Sequence, residues 1–253
     1  MKTVHNAVKS DTGGIDGVFV TGTDTGVGKT YIGTALAHLL TQRGLRVRPR
    51  KPVESGCATA KGSLLPQDAA ALREAACSSE PLEQVCAYPL RAALSPERAA
   101  ALEGCTLILE QLVSACRSGV GTGDFLLVEG AGGWLSPVAP GATNADLAAT
   151  LRLPVLVVAA DRLGVINHTL LTVEAVSSRK LPLAGVVLNQ TAPATDPLMD
   201  NAADLTRWLG WPVGLVPHRP GGETHLGMAS APFLRDLADR ITAAQDKPGR
   251  GGT

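Results

Sequence analysis

The 253-residue chain has no excess of charge of either sign, with 23 Lys and Arg against 23 Asp and Glu. That balance leaves no overall field to draw in nucleic acid or an anionic membrane, so no polyanionic partner is expected. A paired-cysteine signature is also missing. The cysteines, Cys57, Cys77, Cys86, Cys105 and Cys116, are odd in number and contain no C-x-x-C, so neither a disulfide framework nor a zinc knuckle is signalled and reduced thiols are expected. No apolar run approaches the ~20 residues needed to cross a bilayer. The opening "MKTVHNAVKSDTGGID" lacks the apolar centre of a signal peptide. A soluble cytoplasmic protein is the expectation, and no internal repeat breaks the chain into units.

What is present is a globular composition, 45% hydrophobic and 18% charged. The length favours one large α/β domain, placed at 17–243, between loosely held ends at 1–16 and 244–253. Short apolar runs alternate with amphipathic stretches, the pattern of parallel strands joined by crossover helices. Strands are expected at 17–22, 45–52, 124–130, 154–160, 183–189 and 212–217. Helices are expected at 29–44, 66–76, 106–118, 165–180, 197–209 and 230–243, while the Pro-punctuated 77–98 fits neither pattern. In the first helix, Ile32, Leu36, Leu39 and Leu40 share one face and Gly44 closes it. The fold class is therefore α/β, an open, mostly parallel sheet with helices on both faces, and ligand groups should collect at the carboxyl ends of its strands.

The stretch "TGTDTGVGKT" (21–30) follows the first strand and opens the first helix. The common phosphate-loop pattern needs a glycine five residues before Gly28, where Thr23 stands; Gly22 is one residue too early. The strand-loop-helix context still supplies backbone N–H groups and a positive helix end for a phosphate. Lys29 adds a point charge, the Thr30 hydroxyl suits Mg²⁺, and Gly26 and Gly28 keep the backbone close to the ligand.

Four further stretches fall on the same edge. In "RKPVESG" (50–56) Lys51 follows a strand directly, where it either holds an anionic group near the γ-phosphate or is a surface lysine. In "PQDAAAL" Asp68 sits in the first helical turn, where the helix dipole alone explains a carboxylate. "DFLLVEGAGGW" (124–134) delivers Glu129 from a buried strand, a usual partner of the loop Thr in holding Mg²⁺, with Gly130, Ala131, Gly132 and Gly133 letting backbone close in. Asn189 ends another strand with an amide suited to adenine. "DRLGVINHTLLT" (161–172) begins a helix whose His168 reads as a packed histidine rather than a base. Ser95-Pro96 is by itself a turn signal.

Taken together, "GTDTGVGKT", "KPVESG", "VEGAGGW" and "LGVINH" resemble the dethiobiotin synthetase family, across residues 17–218. The wider phosphate-loop group includes partition and septum-site ATPases, which carry a lysine where this chain has Asp24. The resemblance implies an ATP- and Mg²⁺-dependent ligase that carboxylates 7,8-diaminopelargonate with CO₂ and closes the ureido ring of dethiobiotin, as a homodimer with substrate at its interface. It implies catalytic roles for Lys51 and Lys29, and Mg²⁺ ligation by Thr30, Asp68 and Glu129. ATP contacts are implied for Gly26, Val27, Gly28, Tyr31, Gly130, Ala131, Gly132, Asn189 and, beside the base, Val216, Pro217 and His218. Substrate contacts are implied for Thr25, Ser55, Ser95 and Pro96, and for Gly164, Val165 and Asn167 at a helix N-terminus. The chain departs from the family at Gly26, where some members have Glu, at Gln190, where Asp is usual, and near Asn201, which lacks a Tyr. A switch-type ATPase that toggles a dimer is the alternative reading; it predicts slow, substrate-free hydrolysis.

Overall fold

The computed structural model describes residues 16–60, 62–193, 196, 198–218 and 231–245. β1 (Gly17–Gly22) leads into α1 (Lys29–Gln42) and back to β2 (Arg46–Arg50). Next come β3 (Val53–Ser55), β4 (Ala58–Ala60), β5 (Ser63–Leu65), α2 (Gln67–Ala75), α3 (Leu82–Val85), β6 (Tyr88–Leu90), α4 (Pro96–Leu102) and α5 (Leu109–Arg117). β7 (Asp124–Gly133) returns to the sheet, and the small hairpin β8 (Pro137–Ala139) and β9 (Ala142–Thr143) precedes α6 (Asn144–Leu151). β10 (Val155–Ala160), α7 (Val165–Ser178), β11 (Leu183–Asn189), α8 (Asn201–Leu209), β12 (Gly214–Val216) and α9 (Pro232–Gln245) complete the order.

Six strands form the main sheet in the order β12-β11-β10-β1-β7-β2, all parallel. Covered on both sides, the inner strands β1, β10 and β11 bury every residue, which is why "VLVVAA" of β10 is apolar throughout. Alternate residues still serve opposite faces. Val18, Val20, Leu127, Leu156 and Val158 pack with α1, α2 and α9. Phe19, Leu126, Val128, Val155 and Val157 pack with α4, α5, α6 and α7. At about 1.5–3 kcal/mol for each fully buried large aliphatic, these two layers hold the sheet edge rigid.

After β1 the chain jumps past the place of β7 to build β2, and after β7 it crosses back over β1 to β10. The direction of growth reverses beside β1, the geometry that opens a crevice at the carboxyl ends of an open sheet. α1 ends as expected: Gly44 has φ +85, its N–H donates to Thr41 and that of Leu45 to Leu40, a Schellman closure.

The structure departs from the sequence reading in several places, among them the short strands β3, β4, β5, β8 and β9. α6 was not expected, β7 runs three residues beyond 130, and the ambiguous 77–98 folds as α3, β6 and the start of α4. His168, expected to be packed, is exposed. The buried stripe of α7 is Val165, Thr169, Thr172, Val173 and Val176, and position 168 falls off it. The expected end segments lie outside the described residues except for Asp16 and the last turn of α9. No helix among the described residues is long and apolar enough to cross a membrane.

Candidate active site

A cavity of about 370 Å³ opens at the carboxyl ends of β1 and β7, lined by Thr25, Gly26, Gly28, Lys29, Thr30 and Tyr31, by Lys51, Glu54, Ser55 and Asp68, and by Glu129, Ala131 and Gly132. Gly28 takes φ +92 as the residue before α1, and no side chain caps the N–H groups that follow it. Those groups are left for an anion. A Cβ at position 28 would stand 2.1 Å from the Asn189 amide nitrogen, so only glycine fits. Asn189 holds its place by donating to the Val27 carbonyl at 3.1 Å.

Lys51 is 4% exposed, and its Nζ reaches Glu129 Oε1 at 2.6 Å and Asp68 Oδ2 at 3.1 Å. The Thr30 hydroxyl donates to the same Glu129 oxygen at 2.8 Å. Burial works against the Lys51 charge, yet the combined pull of Glu129 and Asp68 outweighs it and holds this lysine above its ordinary pKa. Lys29, which donates to the Asp24 carbonyl, goes the other way: burial, reinforced by Lys51 and only partly offset by Glu129, lowers it to about 8. A phosphate would supply the counter-charge that Lys29 lacks.

Glu129 is fully buried, and its second oxygen, Oε2, has no partner among the described residues. A carboxylate oxygen left so is costly. Glu129, Asp68 and the Thr30 hydroxyl, all on the wall of this cavity, are hard oxygen donors of the kind Mg²⁺ takes, so the residues present fit that ion. Among the described residues, this site included, no group of three or more His, Cys, Asp or Glu could hold a metal ion.

Residues 16–223 match a family described as an AAA domain. The chain is 47% identical over 206 residues to the ATP-dependent dethiobiotin synthetase of Anaeromyxobacter dehalogenans (strain 2CP-C), covering 81% of this chain and 91% of that one. It is 43% identical over 214 residues to that of Cellvibrio japonicus, covering 84% and 91%. The chain belongs to the dethiobiotin synthetase family. It is therefore an ATP-dependent enzyme of the ligase type. Its fold is also similar to the septum site-determining protein MinD from Pyrococcus horikoshii, complexed with Mg-ADP, with a TM-score of 0.54 over 91% of this chain and 95% of that one. At 15% identity that likeness is one of fold.

For a dethiobiotin synthetase, other expected contacts sit around rather than in this cavity. Val27 is buried beneath the loop, and Gly130, also buried, precedes the cavity wall in β7. Ser95 precedes α4, with Pro96 buried in its first turn. Gly164 and Asn167 are exposed at the start of α7, whereas Val165 is buried. Asp24 meets Arg162 at 3.6 Å, linking the phosphate loop to the loop before α7. Val216 is buried, with Pro217 exposed beside it. Gln190, for which the sequence offered no role, donates to Asp161 and accepts from the His218 N–H, while Asn201 donates to the other Asp161 oxygen. This network ties the ends of β10, β11 and β12 to α8.

Sequence reasoning also passed over Glu54. Its carboxylate accepts the N–H groups of Asp68 and Ala69, both at 3.0 Å. No local pattern signals it, because its partners lie 14 and 15 residues further on.

Proposed function

We propose that the chain joins CO₂ to 7,8-diaminopelargonate and closes the ureido ring of dethiobiotin in the cytoplasm, cleaving ATP to ADP and phosphate. One substrate amine takes up CO₂ and sheds a proton, giving a carbamate. A carbamate oxygen then bonds to the γ-phosphorus as the bond to ADP breaks. The second amine attacks the carbonyl carbon of this mixed anhydride, loses its proton and expels phosphate. Each of the first two partners is negatively charged, so the protein's work is positioning and charge neutralisation.

The single observation that carries this reading is Lys51, a buried cation on the cavity wall a few ångströms from the phosphate-loop machinery. In this reading Lys51 holds the carbamate and Lys29 the phosphates. Uncapped N–H groups of α1 bind phosphate oxygens, and Asn189 reads the base. Thr30, Asp68 and Glu129 would hold Mg²⁺, whose chemistry here is to neutralise the phosphate oxygens. No covalent nucleophile is needed. Burial pushes the Cys86 and Cys116 thiols up to about 12, so neither of these two is poised as one.

Substrate seated at a homodimer interface, against Thr25, Ser55, Ser95 and the start of α7, is part of the proposal. What speaks for an interface is the apolar surface of Leu135 and Leu171, 60% and 57% exposed on the wall of a second cavity of about 440 Å³; Thr25 and Ser55 line the first cavity instead. Incubation with the diamino acid, bicarbonate, Mg²⁺ and ATP should yield ADP, phosphate and dethiobiotin in equal amounts. ADP release that ignores the diamino acid would sink the reading in favour of a switch-type ATPase, for which only the fold likeness to MinD speaks.

A further inference from the structure

α2 begins at Gln67 after Pro66, and neither Pro66 nor any neighbour caps its first turn. The cap comes instead from β3. Glu54 is 6% exposed, and one of its oxygens accepts the Asp68 N–H while the other accepts that of Ala69. An ordinary N-cap side chain serves the N2 or N3 amide from within the same turn; here one remote carboxylate serves both, at the positive end of the helix dipole. The Asp68 side chain is 44% exposed, and its recorded ion pair is with Lys51. Its backbone N–H is held by Glu54. Lys51 and Glu54 belong to the same four-residue segment, stiffened by Pro52, so one short piece of chain places both the lysine and the acid facing it.

We propose that Glu54 is a positioning residue: by capping α2 from β3 it sets where Asp68 stands relative to Lys51 and Glu129, and so governs affinity for the divalent ion. The inference rests on the reading of Asp68 as a Mg²⁺ ligand. Residues that orient metal ligands typically cost about 10–100-fold in metal affinity when changed. The test uses the full-length protein with ADP and Mn²⁺ as the probe, free Mn²⁺ being read from its electron paramagnetic resonance signal. Glu54→Gln keeps the size but turns an amide NH₂ toward one of the N–H groups, and should weaken Mn²⁺ binding about tenfold. In turnover assays its half-saturating Mg²⁺ should rise by a similar factor, with kcat recovered at high Mg²⁺. Asp68→Asn is the reference. If Asp68→Asn weakens Mn²⁺ binding and Glu54→Gln does not, the proposal is overturned and the ligand reading stands. If neither weakens it, the ligand reading falls and takes the proposal with it. Amide exchange in the unsubstituted protein needs no folded variant: the Asp68 and Ala69 N–H groups should exchange more slowly than that of Gln67, and equal rates overturn the cap.

Discussion

Arg50 and Lys51 are sequence neighbours, both cations and both buried, at 0% and 4% exposure. Their surroundings differ in kind. Both terminal nitrogens of Arg50 meet Glu80, and they also donate to the carbonyls of Pro49 and Ser118; Arg48 and Arg46 extend the cluster to Asp124. That cluster is turned inward: three arginines share Glu80 and Asp124, and of the Arg50 nitrogens Nε is left without a hydrogen-bond partner among the described residues. Lys51 instead faces a cavity, between a half-exposed Asp68 and a Glu129 whose second oxygen has no partner. Adjacent residues of one strand end thus serve opposite purposes. Charge paired inward is architecture, and charge that faces a cavity beside an unpartnered carboxylate oxygen is where a ligand is to be expected.

Substituting the open cation should have the largest effect. Lys51→Gln retains a donor for Glu129 and should lower turnover by about a hundred- to a thousandfold, with ATP binding, followed by calorimetry, largely retained. Lost nucleotide binding would instead make Lys51 a structural residue and break the contrast with Arg50. The inward cluster should answer in stability. Arg50→Met leaves Glu80 buried without its main partner, at a cost of about 3–5 kcal/mol, or roughly 10 °C in melting temperature for a chain of this size. Turnover per folded molecule should stay close to the original. A variant that melts normally but no longer turns over would show that the two clusters act as one.

A smaller effect is expected where the open cluster meets the phosphate loop. Gly28→Ala forces a side chain into the left-handed region at φ +92 and against Asn189. The strain is about 1–2 kcal/mol, and a loop that relaxes to avoid it no longer aims its N–H groups at phosphate. Nucleotide affinity should fall about tenfold; unchanged affinity in a binding titration would show that the loop is not confined as described.

The sheet was legible because its inner strands are uninterrupted apolar runs, and the loop and Glu129 because each comes directly at the end of such a run; Lys51 follows the arginine-rich β2 and was legible from "KPVESG". Short-range chemistry gave those positions away. The rest depends on contacts far apart in sequence. Glu54 finds its partners 14 and 15 residues on, Arg50 meets Glu80 30 residues on, and Gln190 reaches Asp161 29 residues back. Helix α6 is a different case, for its signal was local: Thr143 and Asp146 stand at the capping-box spacing ahead of an apolar run. It was passed over because the helix has only eight residues and follows a turn-rich stretch.

Asp146 offers the smallest and most separable test, since it is a paired carboxylate that lines neither cavity. One of its oxygens accepts from both the backbone N–H and the hydroxyl of Thr143, and the other pairs with Arg179. Burial alone would raise its pKa, but the Thr143 hydrogen bonds and Arg179 more than offset that and hold it below the ordinary carboxylate value. A carboxyl depressed in the folded state stabilises the protein above its unfolded pKa, and that contribution is lost as pH falls through the folded value. Asp146→Asn should therefore cost about 1 kcal/mol at neutral pH, the usual worth of a helix cap, or about 2–4 °C in melting temperature, with turnover unchanged. As the pH is lowered below about 4, the original protein should lose this advantage and the two melting temperatures should converge. If the gap persists in acid, Asp146 works through packing rather than charge. If turnover falls with the melting temperature held constant, inward pairing does not separate architecture from chemistry in this fold.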